Sequence, residues 1–284
     1  MPAPEFVRYS RITRDMRTKG VLHMHIAKVD LIEGLAKGLA VLEAFDTERQ
    51  RLNSTLTAQR AGITRAAARR HLLTLAHLGY LESADGWYWL APKVLRFSGT
   101  YLASARVPRA VQPVLDQLAA QKQEAFSAAV LDGDVAVIVA RSGNEGQASP
   151  GGGRRMLAHG LHLGARLPAH ATSTGHVLLA GLPRQAFATW LKEQQLRRLT
   201  PQTITNPSAL RAVVGQVRKQ DFCIAYEEHE SGVAALAVPV RDARGEVVAA
   251  INVVVSPQRF DPDALHRAFF LPLRDAASQL RSLL

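Results

Sequence analysis

GITRAAARRHLLTLAHLGYL, residues 62–81, is the stretch on which the N-terminal fold turns. Thr64 is a helix N-cap by type, and the spacing predicts a helix from Arg65 to about Leu78, with Gly79 just past its end. At helical periodicity Ala68, Leu72, Leu75 and Ala76 fall on one side, while Arg65, Ala66, Arg69 and Arg70 fall on the other. Upstream, Asn53 caps a short helix, Ser54 to Ala61, which stops at Gly62. Two helices joined by a tight Gly-Ile turn, the second opening with TRAAARR, form a helix-turn-helix in sequence. Downstream, YLESADGWYWLAP places an Asp85-Gly86 turn before the alternating run Trp87 to Leu90, which predicts a two-stranded wing. Thr64, Arg65, Ala66, Ala67, Arg69 and Arg70 then face the major groove of double-stranded operator DNA. Arginine can bond the guanine edge there, and alanine can touch a thymine methyl.

Charge supports the same reading. The 284 residues carry a formal net charge of +11. Residues 1–106 hold 16 basic and 9 acidic residues, and 51–77 hold five arginines (Arg51, Arg60, Arg65, Arg69, Arg70) with no acid. Ahead of this block Ile32, Leu35, Leu39, Leu42 and Phe45 recur at helical spacing, which predicts a first amphipathic helix closed by Asp46. Residues 1–30 have no sustained apolar period and read as a basic flexible arm, with Met16 and Met24 open as later starts.

After the wing, a helix from Lys93 to Ala105 is expected to end before Pro108. The expected domains are a winged helix-turn-helix over 31–92, a linker helix over 93–107 and a second domain over 108–284. Leu95, Phe97, Tyr101 and Leu102 exceed what one small winged domain can bury, so the linker helix is a candidate dimer element. In the second domain the period alternates between types. A helix (Ala110 to Lys122) precedes a hairpin of FSAAVLD and VAVIVAR, and the glycine-rich segment Ser142 to Arg155 follows. Helices are expected from Ser173, around 184–194 and over 207–220, then a strand near Cys223. A second hairpin (VAALAVPV, EVVAAINVVV) and a helix from Asp261 complete an α+β domain.

These blocks, together with LPAHATSTGHVLLAGLP and EEHESGVAALAVPVRDARGEVVAAINV, resemble the IclR family of bacterial transcriptional regulators over residues 31–284. Within it they are most like the branch that includes PcaR, PcaU and PobR, regulators of aromatic-acid and β-ketoadipate catabolism. The resemblance implies a winged helix-turn-helix followed by a GAF-like effector-binding domain. It further implies a homodimer or dimer of dimers, and DNA binding altered by a small aromatic or dicarboxylic acid. Transferred segment by segment, the effector residues are Met156 and His159, then Ser173 and Thr174, then Tyr226, Val233 and Ala235, and finally Asn252 and Val254. His176 stands where the family usually has Lys or Arg. Chemistry agrees for Ser173 and Thr174, whose hydroxyls join the free N–H groups of a helix start, a natural carboxylate site.

Two competing classes are weighed on the same residues. His159, His162, His170, His176 and His229 suggest a metal, yet no pair has zincin spacing and Cys223 is the chain's one cysteine. Ser173 or Cys223 with His176 suggests an enzyme, yet no nucleophile elbow, general base or cofactor loop is assembled. The expectation is therefore no catalytic residue, no cofactor and no metal. The lone cysteine, the lack of a long apolar run and the polar N-terminus point to the cytoplasm and away from a membrane.

Overall fold

A computed structural model describes residues 27–142 and 162–284 of the chain. It divides into two units, the first ending at Thr100 and the second running from Tyr101 to Leu284.

In the first unit α1 (Glu33–Glu43), α2 (Ser54–Ala61) and α3 (Arg65–His77) precede a hairpin of β1 (Leu81–Ala84) and β2 (Trp87–Leu90). Local chemistry sets the boundaries. Asn53 Oδ1 accepts the Thr55 and Leu56 amides at 3.1 and 3.0 Å, and Thr64 Oγ1 accepts the Ala67 amide at 3.2 Å. Between them Gly62 takes φ 65°, the left-handed conformation that lets the chain turn within two residues. Asp85 and Gly86, both at positive φ, close the hairpin with the twist its strands require. Val41, Phe45, Leu52, Leu72, Leu81 and Tyr88 form the core. Leu52 and Tyr88 exchange backbone hydrogen bonds of 3.0 and 2.9 Å, so a single residue ahead of α2 extends the wing.

The first helix forms as expected, but its apolar stripe is covered unevenly. Ile32 and Leu35 are 69% and 61% exposed and Leu39 is exposed too, whereas Val41 and Phe45 enter the core. Only the last turns of α1 lie against the core, so the apolar stripe at its start is surface.

The expected helix over 93–105 is a 3-10 turn, Pro92–Val94, followed by α4 (Leu95–Ser104). The break falls at Ala105, whose extended backbone (ψ 136°) precedes α5 (Arg106–Lys122). Pro108, the expected breaker, sits buried in the first turn of α5, where its missing N–H has no intrahelical partner to lose.

In the second unit β3 (Ala125–Asp132), β4 (Val135–Ser142), β5 (Arg166–Pro168), β6 (Cys223–Tyr226), β7 (Ala234–Arg241) and β8 (Val247–Val255) form one antiparallel sheet. Their order is β5-β4-β3-β8-β7-β6. Besides α5, its described helices are α6 (Ser173–Gly181), α7 (Arg184–Glu193), α8 (Pro207–Gln220) and α9 (Pro262–Leu280), so the domain is α+β as expected. Phe126, Leu236, Ile251 and Val253 face α5 and α9 through Leu115, Phe269 and Leu273. On the opposite face Ala129, Ile138, Ala237 and Ala250 meet Val177 and Leu178 of α6 and Val217 of α8. Covering on both faces explains why VVAAINVVV is a nearly unbroken apolar run. No helix among the described residues is long and apolar enough to cross a membrane.

Candidate functional site

The α6 N-terminus opens onto a cleft in the second unit. Thr172 caps the helix, its Oγ1 accepting the Gly175 amide at 3.1 Å. Gly175 permits a close approach that no side chain could: a Cβ there would lie 2.1 Å from the Ala169 carbonyl oxygen. The helix start is thereby pressed onto the 3-10 turn Ala169–Ala171, and Ser173 and Thr174 become cleft wall. The cleft encloses about 660 Å³ including its open mouth. Ser127 and Asn252 form part of its sheet side, with apolar surface from Ile138, Leu167, Ala235 and Val254. The loop between β6 and β7 contributes Glu228, His229, Glu230 and Val233.

Polar groups in the cleft differ in whether they are satisfied. Ser127 and Asn252 are register partners on β3 and β8, and Ser127 Oγ donates to Asn252 Oδ1 at 2.6 Å, which leaves the Asn252 amide hydrogens as donors. Ser173 is 1% exposed, and its Oγ has no hydrogen-bond partner among the described residues. Glu228 Oε2 is buried in the same state, and burial pushes this carboxyl up to about 7.

His176, one turn further along α6, is fully buried. Its Nε2 stands 2.8 Å from the His170 carbonyl and must donate to it, so Nδ1 carries the lone pair and accepts the Cys223 S–H at 3.4 Å. Burial lowers the imidazole to about 4 and raises the thiol. The pair is thus neutral imidazole and thiol, without the thiolate that nucleophilic chemistry requires. Among the described residues no group of three or more His, Cys, Asp or Glu side chains is placed to hold a metal ion.

Of the expected effector residues, Ser173, Thr174, Val233, Ala235, Asn252 and Val254 come together on this one cleft. Met156 and His159 lie outside the described residues. Tyr226 is a correction: strand alternation gives the cleft to its neighbour Ala225. Tyr226 instead packs with the core on the α9 side, its hydroxyl donating to the Pro257 carbonyl at 3.2 Å. Ser127 and Glu228 are the functional candidates that sequence reasoning missed. Ser127 announces itself only through its pairing with Asn252, and Glu228 only through its burial against the cleft.

A second candidate surface lies on α3. Arg65, Ala66, Arg69 and Arg70 are exposed, Ala67 is half-buried, and Thr64 holds the helix start. The other arginines of the basic block have structural partners. Arg60 pairs with Asp46, and Arg51 lies 4.6 Å from the ring centroid of Trp89, whose indole N–H donates to Glu82 at 2.8 Å. Lys93 Nζ donates to the Leu78 carbonyl at 2.7 Å, a cation at the C-terminal end of α3.

Both parts of the chain match known proteins. Residues 34–85 match the IclR helix-turn-helix domain, and residues 99–282 match the bacterial transcriptional regulator IclR C-terminal domain. The chain is 45% identical over 255 residues to the Pca operon regulatory protein of Acinetobacter baylyi, covering 90% of each. It is 47% identical over 254 residues to the p-hydroxybenzoate hydroxylase transcriptional activator of the same organism, covering 89% of this chain and 92% of that one. A solved structure, the PobR inducer-binding domain from Acinetobacter as a double mutant with 3-hydroxybenzoic acid, is 42% identical with a TM-score of 0.56. That likeness covers 62% of this chain and 98% of the other. With an exposed basic helix in one unit, a half-polar cleft in the other and both family models matched in order, the chain belongs to the IclR family of bacterial transcriptional regulators.

Proposed function

We propose that the chain is a cytoplasmic regulator of aromatic-acid or β-ketoadipate catabolism genes, binding operator DNA through α3 and a small aromatic or dicarboxylic acid in the cleft. Residues 31–92 serve as the DNA module, 93–107 as the connector and 108–284 as the effector module. One observation carries the effector reading: the unpaired, buried Ser173 Oγ at a helix N-terminus, on a cleft with apolar walls. Free N–H groups and the helix dipole there favour a carboxylate, and Val233, Ala235 and Val254 suit a compact body. The similar regulators of hydroxybenzoate and Pca genes support the choice of acid. The neutral His176 and Cys223 pair favours binding over turnover.

Calorimetry with 4-hydroxybenzoate, protocatechuate and β-ketoadipate tests this. At least one acid is expected to bind, and Ser173→Ala with Thr174→Val is expected to weaken it by about 1.5–3 kcal/mol, the worth of a hydrogen bond to a charged group. Unchanged binding in the double variant would move the carboxylate elsewhere. For the acid to act on transcription it must prefer one of two conformers, so DNA affinity measured with and without the acid must differ.

We further propose that the chain works as a homodimer or dimer of dimers. Ile32, Leu35 and Leu39 on α1, and Leu95, Phe97 and Tyr101 on α4, are exposed apolar faces of the kind that self-association covers. Light scattering is expected to give a multiple of 30.9 kDa at micromolar concentration, and a strict monomer would refute the assembly.

A further inference from the structure

The described lining of the cleft is unusual for an anion site. Among its described lining residues there is no lysine or arginine, whereas Glu228 and Glu230 are both present. Glu230 is exposed to solvent, but the Glu228 side chain is only 11% exposed and its Oε2 lacks a hydrogen-bond partner among the described residues. The loop is also held in place, because the Glu228 carbonyl accepts the Thr203 hydroxyl at 2.7 Å.

Among the described residues, each neighbouring titratable group leaves the Glu228 charge unanswered. From α6, His176 Nε2 is 3.8 Å away, but its proton is committed to the His170 carbonyl and the ring is neutral. From β6, Cys223 remains a thiol, partly because of the Glu228 charge itself. From the turn before α6, His170 directs Nε2 to the Arg197 carbonyl at 3.0 Å. On the same loop, Glu227 accepts the Gly232 amide at 2.7 Å, and burial lowers His229. A carboxylate brought to Ser173 would therefore meet a second buried carboxylate, and two such groups at one site hold a shared proton in preference to two charges.

We propose that Glu228 enters the complex protonated and donates its O–H to the bound carboxylate, so that the cleft takes up an organic acid together with one proton. The inference rests on the effector reading above. The proton passes from water or buffer to the Glu228 carboxylate, and no other bond forms or breaks. Burial, which raises this group to about 7 before any second charge arrives, makes that protonation easy near neutrality. The sign follows. Below about 7 the free protein already carries the proton and affinity is flat. Above it the proton must be drawn from solution, and affinity falls toward about tenfold per pH unit.

The test is calorimetry of the full chain with 4-hydroxybenzoate from about pH 6 to about pH 8, in buffers of different ionisation enthalpy. This range lies well below an ordinary phenol pKa of ~10, so the probe stays a monoanion. Wild type is expected to bind about tenfold more weakly at the upper end, with proton uptake rising toward about one. Glu228→Gln keeps a donor and cannot titrate, so it should bind with little pH dependence, no buffer-dependent enthalpy, and at least wild-type affinity at pH ~8. Glu228→Ala, which lacks the donor, should be weaker at every pH, and thermal unfolding of each variant reports whether it folds.

Binding without proton uptake overturns the proposal, as does a Gln variant with the wild-type pH profile, which would give the dependence to the histidines. A Gln variant that loses binding throughout would make Glu228 an ionised acceptor, and it overturns the proposal too. Failure of the probe and of the other two acids to bind wild type removes the effector reading and this inference together. Binding without uptake removes only the latter.

Discussion

Gly175→Ala is expected to destabilise the C-terminal unit by about 3 kcal/mol, at the upper end of what overpacking costs. The added Cβ would lie 2.1, 2.4 and 2.6 Å from the oxygen, Cα and carbonyl carbon of Ala169. All three are backbone atoms, so no rotamer change relieves the contact. Either α6 lifts from the turn or the turn unfolds, and α6 carries seven consecutive buried residues, Ser173 to Leu179. At about 2–4 °C per kcal/mol for a unit of this size, the melting temperature should fall by roughly 6–12 °C. Effector binding should fall with it, since Ser173 and Thr174 ride on the displaced turn. Gly215→Ala is the control. It lies within α8 with nothing within 4 Å of its Cβ position, and alanine there should raise stability by about 0.5–1 kcal/mol. A Gly175 variant that melts with wild type would mean the 169–171 turn is more pliant than its packing implies.

Arg69→Ala and Arg70→Ala should each weaken operator binding by about 1–3 kcal/mol where a base-edge contact is lost. Arg69 and Arg70 are exposed on α3 whereas Ala68 and Leu72 are buried, so removing the two guanidinium groups leaves the core intact and the loss appears in DNA affinity alone. Arg60→Ala should behave in the opposite way, lowering stability through its Asp46 partner with little effect on DNA. Fluorescence anisotropy on the chain's own promoter fragment, at two or more salt concentrations, separates the cases. Wild-type affinity should fall steeply with salt as phosphate neutralisation releases counterions. Normal affinity in both α3 variants would reject this helix as the reader.

What the sequence revealed was local. Asn53, Thr64 and the Asp85-Gly86 pair each set a boundary by chemistry within four residues, and the winged helix-turn-helix was legible from them. The start of α6 was legible for the same reason. The rest is decided by distant partners. The early α1 stripe has perfect periodicity but little of the domain against it, and periodicity cannot say which part of a helix is covered. Tyr226 is on the wrong face because the phase of a four-residue strand is set by its pairing with β7. Ser127 and Asn252 lie 125 residues apart and meet only through strand register. The linker helix ends where expected, at Ala105, but Pro108 is not its breaker, because it fits a first helical turn, a position the proline rule permits.

Among the described residues the outermost strands of the sheet are also its shortest, three residues in β5 and four in β6, beside inner strands of eight or nine. At about 3.3 Å per residue such rims offer roughly 10–13 Å of free backbone ladder. Pro168 lacks a donor altogether, and Arg166 at the other end of β5 is engaged with Asp132 at 2.8 Å. A rim this brief gives a passing chain little to template on, so the sheet resists growth by strand addition and the fibrous aggregation that follows from it. Side-chain contacts between helices, unlike a free strand edge, can close on a symmetric pair.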